Sequence, residues 1–157
     1  MQGILFTEQM FLAVLAGTKT QTRRIVPEKD ITNELATVSE LKTYLEEARA
    51  RYKKGEIVYL KEPYLINNSQ EVCYKYIDFK FSDSDTWKWQ NKLFMPAKYA
   101  RYFIRIKDVR VERILDISGD DTKAEGFDNV IDFLRTFRNI NGKEAINSFV
   151  AGDEQRI

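Results

Sequence analysis

The strongest constraint on the fold is a long β pattern that changes phase partway along. Over residues 101–114, Tyr102, Ile104 and Ile106 alternate on one face, while Val109 and Val111 continue on the opposite parity. Successive side chains of a strand point to opposite faces, so such a slip turns every later side chain over unless an extra residue is inserted. A β-bulge or sharp bend is therefore predicted near Lys107 and Asp108, as expected in a curled sheet.

The flanking segments are shorter. Residues 4–6 read as a strand. Thr7 caps a helix with Glu8 in its first turn, where the helix dipole favours an acid. Met10, Phe11, Leu12, Val14 and Leu15 cover enough of this helix that burial on more than one side is expected. Gly17 suits the left-handed position beyond its end, and residues 20–26 form a strand closed by Pro27. A second helix starts at Ser39, with Leu41, Leu45, Ala48 and Tyr52 at helical spacing. Residues 57–60 and 72–81 read as strands, with Pro63 and turns at 67–69 and 82–85 around them. Ser118 caps a short helix through Glu125 and Gly126. Asp128 caps another, which carries Val130, Phe133, Leu134 and Phe137 on one face and stops at Asn141-Gly142. The tail, residues 148–157, is a poor strand. Short strands in the middle and helices at both ends fit an α+β fold around a small curved β-barrel. Strand and helix do not alternate as a doubly wound sheet requires, and no glycine-rich phosphate loop is present. Without repeat or linker, residues 1–157 read as one domain, and 43% hydrophobic residues suffice for its core.

Composition removes several chemistries. The chain has no histidine, so the usual zinc sites and any Ser-His-Asp triad are excluded. No spacing specifies a carboxylate-only magnesium site, and neither metal nor cofactor is expected. Cys73 stands alone, which excludes an internal disulfide and leaves it a structural role. Lysine plus arginine total 25 against 24 acids, so any electrostatic site must come from local segregation of charge. No apolar run approaches a membrane span and no signal-peptide pattern opens the chain, so a cytoplasmic protein is expected.

Three constellations carry chemistry. Residues 17–24, Gly-Thr-Lys-Thr-Gln-Thr-Arg-Arg, combine three hydroxyls with three cations and no carboxylate. Lys19 could serve as base to the Thr22 hydroxyl if burial or Arg23 and Arg24 lower its pKa. Residues three apart in a regular strand face opposite ways, so Lys19 must then lie in the turn before the strand, or a bulge must intervene. The alternative is a solvated edge strand. Residues 87–113 interleave aromatics with Lys98, Arg101, Arg105, Lys107, Arg110 and Arg113, a mixture suited to single-stranded nucleic acid or to the solvent face of a strand. Glu125 sits at a helix C-terminus, an unfavourable place for a carboxylate, which reads either as a functional position or as plain solvent exposure, and Glu62 beside Pro63 could orient Lys19 or pair with a surface cation.

The blocks Ile4-Leu5-Phe6, Leu15-Ala16-Gly17-Thr18-Lys19-Thr20-Gln21-Thr22-Arg23-Arg24, Gly55-Glu56-Ile57-Val58-Tyr59-Leu60-Lys61-Glu62-Pro63-Tyr64, Met95-Pro96-Ala97-Lys98-Tyr99-Ala100-Arg101, Val109-Arg110-Val111-Glu112-Arg113-Ile114 and Asp116-Ile117-Ser118, leading to Ala124-Glu125-Gly126, occur in that order. Together they resemble ASCH-domain proteins, most of all a phage and prophage branch. The resemblance implies a PUA-like fold, a small β-barrel with flanking helices and a cleft that binds RNA or modified bases. Some small ASCH proteins are amidohydrolases that remove the acetyl group of N4-acetylcytidine with a lysine, a threonine and a glutamate. By motif position these are Lys19, Thr22 and Glu125. Arg23, Arg24, Lys98, Arg101 and Arg105 are then expected to contact a nucleoside or single-stranded RNA, with Glu62 in support. Residues 28–51 and 82–89 read as insertions, and the tryptophan-rich closing strand of relatives is absent. The alternative is a non-catalytic phage accessory module that binds a protein partner or modified nucleic acid.

Overall fold

The computed structural model describes residues 1–26, 39, 43, 51–75 and 87–142, and the backbone of residues 149–156. The predicted loop at 28–38, the helical positions Leu41, Leu45 and Ala48, the strand end at 76–81 and the turn at 82–85 lie outside the described residues. Ser39 and Thr43 are helical.

The chain is α+β with two small sheets. The larger is built on β7 (Phe103–Arg113). This strand pairs antiparallel with β3 (Ile57–Lys61) on one side and with β8 (Phe149–Arg156) on the other. Strand β1 (Gly3–Leu5) adds in parallel outside β3, and β2 (Gln21–Ile25) adds antiparallel outside β8, giving the order β1-β3-β7-β8-β2. The register of β7 against β8 shifts between Ile106 and Asp108, where the change of phase predicted a bulge. Ile104 and Ile106 are buried before it and Val111 after it, so the shift keeps both halves of one strand facing inward. The smaller sheet places β4 (Tyr64–Asn67) between β5 (Val72–Tyr74) and β6 (Trp87–Gln90).

The main core joins Ile4, Phe6, Tyr52, Val58, Leu60, Ile104 and Ile106 to Phe11 and Val14 of α1 (Glu8–Leu15). The Thr7 hydroxyl accepts from the Met10 amide at 3.3 Å, the expected cap. Burial of α1 on more than one side does not occur. Phe11 and Val14 are buried with Met10 and Leu15 packed beside them, while Leu12 is 41% exposed. Positions 10, 11, 14 and 15 form a single stripe at 3.6 residues per turn, and position 12 falls outside it.

A second core forms where Phe133 and Phe137 of α3 (Val130–Asn141) meet Ile114 and Ile117. Its N-cap is Asn129 rather than Asp128, because the Asn129 side chain accepts from the Asp132 amide at 2.9 Å. Between the cores, α2 (Gly119–Ala124) starts with a capping box of Ser118 and Asp121.

The tail overturns its sequence-based expectation. Phe149–Arg156 is a strand paired along both edges, to β7 and to β2. Strand propensity depends strongly on context, and here two main-chain ladders outweigh a sequence containing Gly152, Asp153 and Glu154. No closed barrel forms among the described residues. The edge strands β1 and β2 are instead bridged by Arg24, whose Nη2 donates to the Leu5 carbonyl at 2.8 Å. No helix among the described residues is long and apolar enough to cross a membrane.

Candidate functional site

The site begins where α1 ends. Gly17 takes φ +73°, a left-handed conformation that a side chain would strain. The amides of Thr18 and Lys19 then both donate to the Ala13 carbonyl at 3.0 Å. The Thr20 amide donates to the Ala124 carbonyl at the end of α2 at 2.7 Å. Lys19 is thus pinned in the turn before β2, one of the two arrangements its spacing from Thr22 allowed. Gly126 takes φ +85°, a left-handed conformation that a side chain would strain, and lies against the Lys19 side chain.

These two chain ends bring Lys19 and Glu125 together inside the protein. The Lys19 Nζ donates to Glu125 Oε2 at 2.5 Å, to the Glu125 carbonyl at 3.0 Å and to the Gln21 carbonyl at 2.7 Å. Three acceptors match the three donors of an ammonium, so the geometry is that of an ion pair. Burial pushes the Lys19 pKa down. Glu125 offsets part of that effect, Arg24 and Arg23 add to it, and the result lies below the usual 10.5. Lys19 and Glu125 are only 2% and 3% exposed, so water screens their interaction little. Arg23 Nη1 donates to Glu125 Oε1 at 3.1 Å and its Nε to Glu112 Oε1 at 2.7 Å. Two cations on one carboxylate offset the unfavourable position of an acid at a helix C-terminus.

Asp121 extends this network to β7, accepting from Arg110 Nη2 at 2.6 Å. Burial alone would raise its pKa. Hydrogen bonds from Ser118 and Gln21, with the charges of Arg23 and Arg110, outweigh burial and hold the carboxyl below its usual range.

Above the ion pair opens a cavity of about 280 Å³, close to the lower end of small-molecule sites. Lys19, Thr22, Arg23 and Glu125 lie deep, while Arg24 and Lys92 are half-buried nearer solvent. Phe6, Phe127, Phe133 and Phe137 supply aromatic walls. Both Lys19 Nζ and Arg24 Cζ stand 5.7 Å from the Phe6 ring centre. Among the described residues the Thr22 hydroxyl has no hydrogen-bond partner. The arrangement therefore offers a hydroxyl, an amine and a carboxyl joined by a short hydrogen bond, and rings against which a flat heterocycle can stack.

Of the residues singled out from sequence, Lys19, Thr22, Glu125, Arg23 and Arg24 all line this cavity. Arg23, however, is buried among Glu112, Asp121 and Glu125 rather than presented on a surface. Glu62 does not orient Lys19. It is fully buried at the β3–β4 corner and takes a two-point ion pair from Arg101, whose guanidinium stacks 3.8 Å above the Tyr74 ring. Lys98 lies over Tyr99, and Arg105 is exposed on β7 with Nη1 3.4 Å from the Gly55 carbonyl. None of Lys98, Arg101 and Arg105 lines the cavity. Sequence reasoning passed over Lys92 and the phenylalanines. Lys92 was one cation among many, and Phe127, Phe133 and Phe137 carried the same apolar signal as any core residue.

No family model matches this chain, and no curated protein does. One solved structure is similar across 99% of this chain and 80% of its own, with a TM-score of 0.48 at 12% identity. It is the crystal structure of protein EF3133 from Enterococcus faecalis V583, described under the family model DUF984.

Proposed function

We propose that the cavity is the catalytic centre of an amidohydrolase that removes the acyl group from N4-acylated cytidine, in an ASCH-type domain whose curled sheet is a PUA-like barrel variant working in the cytoplasm. The observation that carries this proposal is the convergence of Lys19 and Glu125, 106 residues apart, beside Thr22 in one aromatic-walled cavity. A solvated edge strand would leave Lys19 in water, whereas its side chain is 1% exposed.

In the proposed reaction Lys19 passes a proton across the hydrogen bond to Glu125, giving a neutral amine and a carboxylic acid, a state that burial favours. The amine takes the Thr22 proton as Oγ1 attacks the acyl carbon. The C–N bond breaks, Glu125 protonates the departing N4, and the ammonium and carboxylate are restored. Water then cleaves the acyl-threonine ester. Purified protein incubated with N4-acetylcytidine should release cytidine, detected by chromatography. Untouched substrate that nevertheless binds would instead favour the non-catalytic binding module.

A further inference from the structure

We propose that Arg23 is a positioning residue acting through Glu125, fixing which of its two oxygens carries the proton given to the departing N4; this rests on the amidohydrolase reading of the cavity. The Arg23 side chain is fully buried, so it presents no charge to a nucleic-acid backbone. Glu125 divides its oxygens between two cations. Oε2 accepts from Lys19 Nζ at 2.5 Å, and Oε1 accepts from Arg23 Nη1 at 3.1 Å. The two partners differ in kind. A lysine ammonium can give up a proton, whereas a guanidinium stays charged and carries donors only. A proton on Oε1 would point at an N–H of Arg23, where nothing can accept it. A proton on Oε2 faces the Lys19 nitrogen that delivered it. Protonated Glu125 is therefore held in one form, with its O–H on the side of Lys19.

Three other elements clamp the guanidinium. Its Nε donates to Glu112 Oε1 on β7 at 2.7 Å, its Nη2 stands 3.4 Å from Asp121 Oδ2 on α2, and its carbon lies 5.9 Å from the Phe133 ring centre on α3. Asp121 is itself held by the Ser118 hydroxyl at 2.8 Å and by Arg110 at 2.6 Å. A rotation that freed Nη1 from Glu125 would disturb all of these contacts together. Arg23 gains and loses no proton in the cycle. As the C–N bond breaks, its electron pair goes to N4, the Oε2 proton follows, and Glu125 returns to a carboxylate. The bond from Arg23 to Oε1 then regains its charge-assisted strength.

The need for a proton on the leaving group separates this role from a structural one. The N4 amide nitrogen must be protonated to leave, whereas 4-nitrophenolate leaves without a general acid. Wild type, Arg23→Gln and Arg23→Lys, each with its fold confirmed by circular dichroism, are followed in single turnover with N4-acetylcytidine and with 4-nitrophenyl acetate. In Arg23→Gln, cytidine release should fall about 100-fold and 4-nitrophenol release about tenfold or less, the difference being the general-acid contribution. Arg23→Lys returns a cation to Oε1 and should recover most of the cytidine release. Arg23→Gln also leaves Glu112, Asp121 and Glu125 without their shared cation. If it does not fold, Glu112→Gln replaces it, because this partly exposed side chain anchors Nε while the charge of Arg23 stays on Glu125. Cytidine release should again fall further than 4-nitrophenol release. Equal losses on the two substrates, or undiminished cytidine release, would reduce Arg23 to a structural cation and leave the amidohydrolase reading standing. Wild type that releases 4-nitrophenol but leaves N4-acetylcytidine whole would overturn the amidohydrolase reading, and the positioning role with it.

Discussion

At the scale of single residues, both stability and the proposed chemistry turn on the buried Lys19–Glu125 pair. Removing one partner of a buried ion pair leaves the other charge uncompensated, so Lys19→Ala should cost about 3–5 kcal/mol by chemical denaturation. The Thr22 hydroxyl is different, because among the described residues it bonds to nothing. Thr22→Val should retain a near-wild-type melting temperature while turnover falls by a factor on the order of 10³ or more. Wild-type rates from such a variant would remove Thr22 as the nucleophile. The proposed proton relay starts from a protonated Lys19. Activity should therefore fall on the alkaline side, with that limb centred below 10.5, because burial lowers the Lys19 pKa. A rate that climbs to a plateau at high pH would show that Lys19 acts as a base without an acid partner. Thr22 and Lys19 were legible from the run of hydroxyls and cations. The partnership with Glu125 was expected only through the resemblance to ASCH proteins, since no local pattern couples positions 106 apart.

At the scale of elements, α2 holds the site through its first turn. Ser118 and Asp121 cap the helix, and Asp121 also meets Arg23 and Arg110, so the helix start is tied to the cations behind the cavity. The folded-state pKa of Asp121 is depressed, so its contribution to stability is present above its unfolded value of 3.8 and is lost as pH falls through the lower, folded value. The wild type should lose stability over that acid window, while Asp121→Asn should start less stable and show a shallower decline in denaturation midpoint. Identical acid profiles would show that the network carries no linkage. The caps at Thr7 and Ser118 were readable because an oxygen side chain before an apolar periodic run has a local purpose. Asn129 displaced Asp128 by one position, because either residue can cap and only the path of the chain into α3 decides between them.

At the scale of the whole molecule, β8 stands between β7 and β2 and joins the strand bearing Thr22 to the rest of the sheet. A chain ending before Phe149 leaves the edges of β7 and β2 without their ladders. It should lose cooperative thermal unfolding and near-ultraviolet dichroism, whereas retention of both would mean that β8 is dispensable. The charge distribution has its own consequence. Arg101 is engaged by Glu62, and Lys98 and Arg105 lie away from the cavity, so these cations do not form one wall around it. Any single-stranded RNA that binds should contact few phosphates, and affinity should fall with salt at about −0.7 in log-log slope per phosphate. A slope matching all five expected cations, Arg23, Arg24, Lys98, Arg101 and Arg105, would indicate an RNA path that this arrangement does not provide.

What the sequence determined by itself was local. The period of two and its slip placed the bulge in β7, glycines marked the ends of helices, and hydroxyls marked their starts. Each of these signals acts within a few residues, over the range of one hydrogen-bonded turn or one pleat. Tertiary structure decided everything that joins distant segments. It turned a polar tail into an interior strand by supplying ladders on both sides. It assigned Glu62 to Arg101 rather than to Lys19, because the β3–β4 corner carries that side chain elsewhere. It placed Lys92 in the cavity through the carbonyl of Phe6. The pairing of a buried charge is settled by which charge the fold delivers within hydrogen-bond range, and that distance is a property of the folded chain alone.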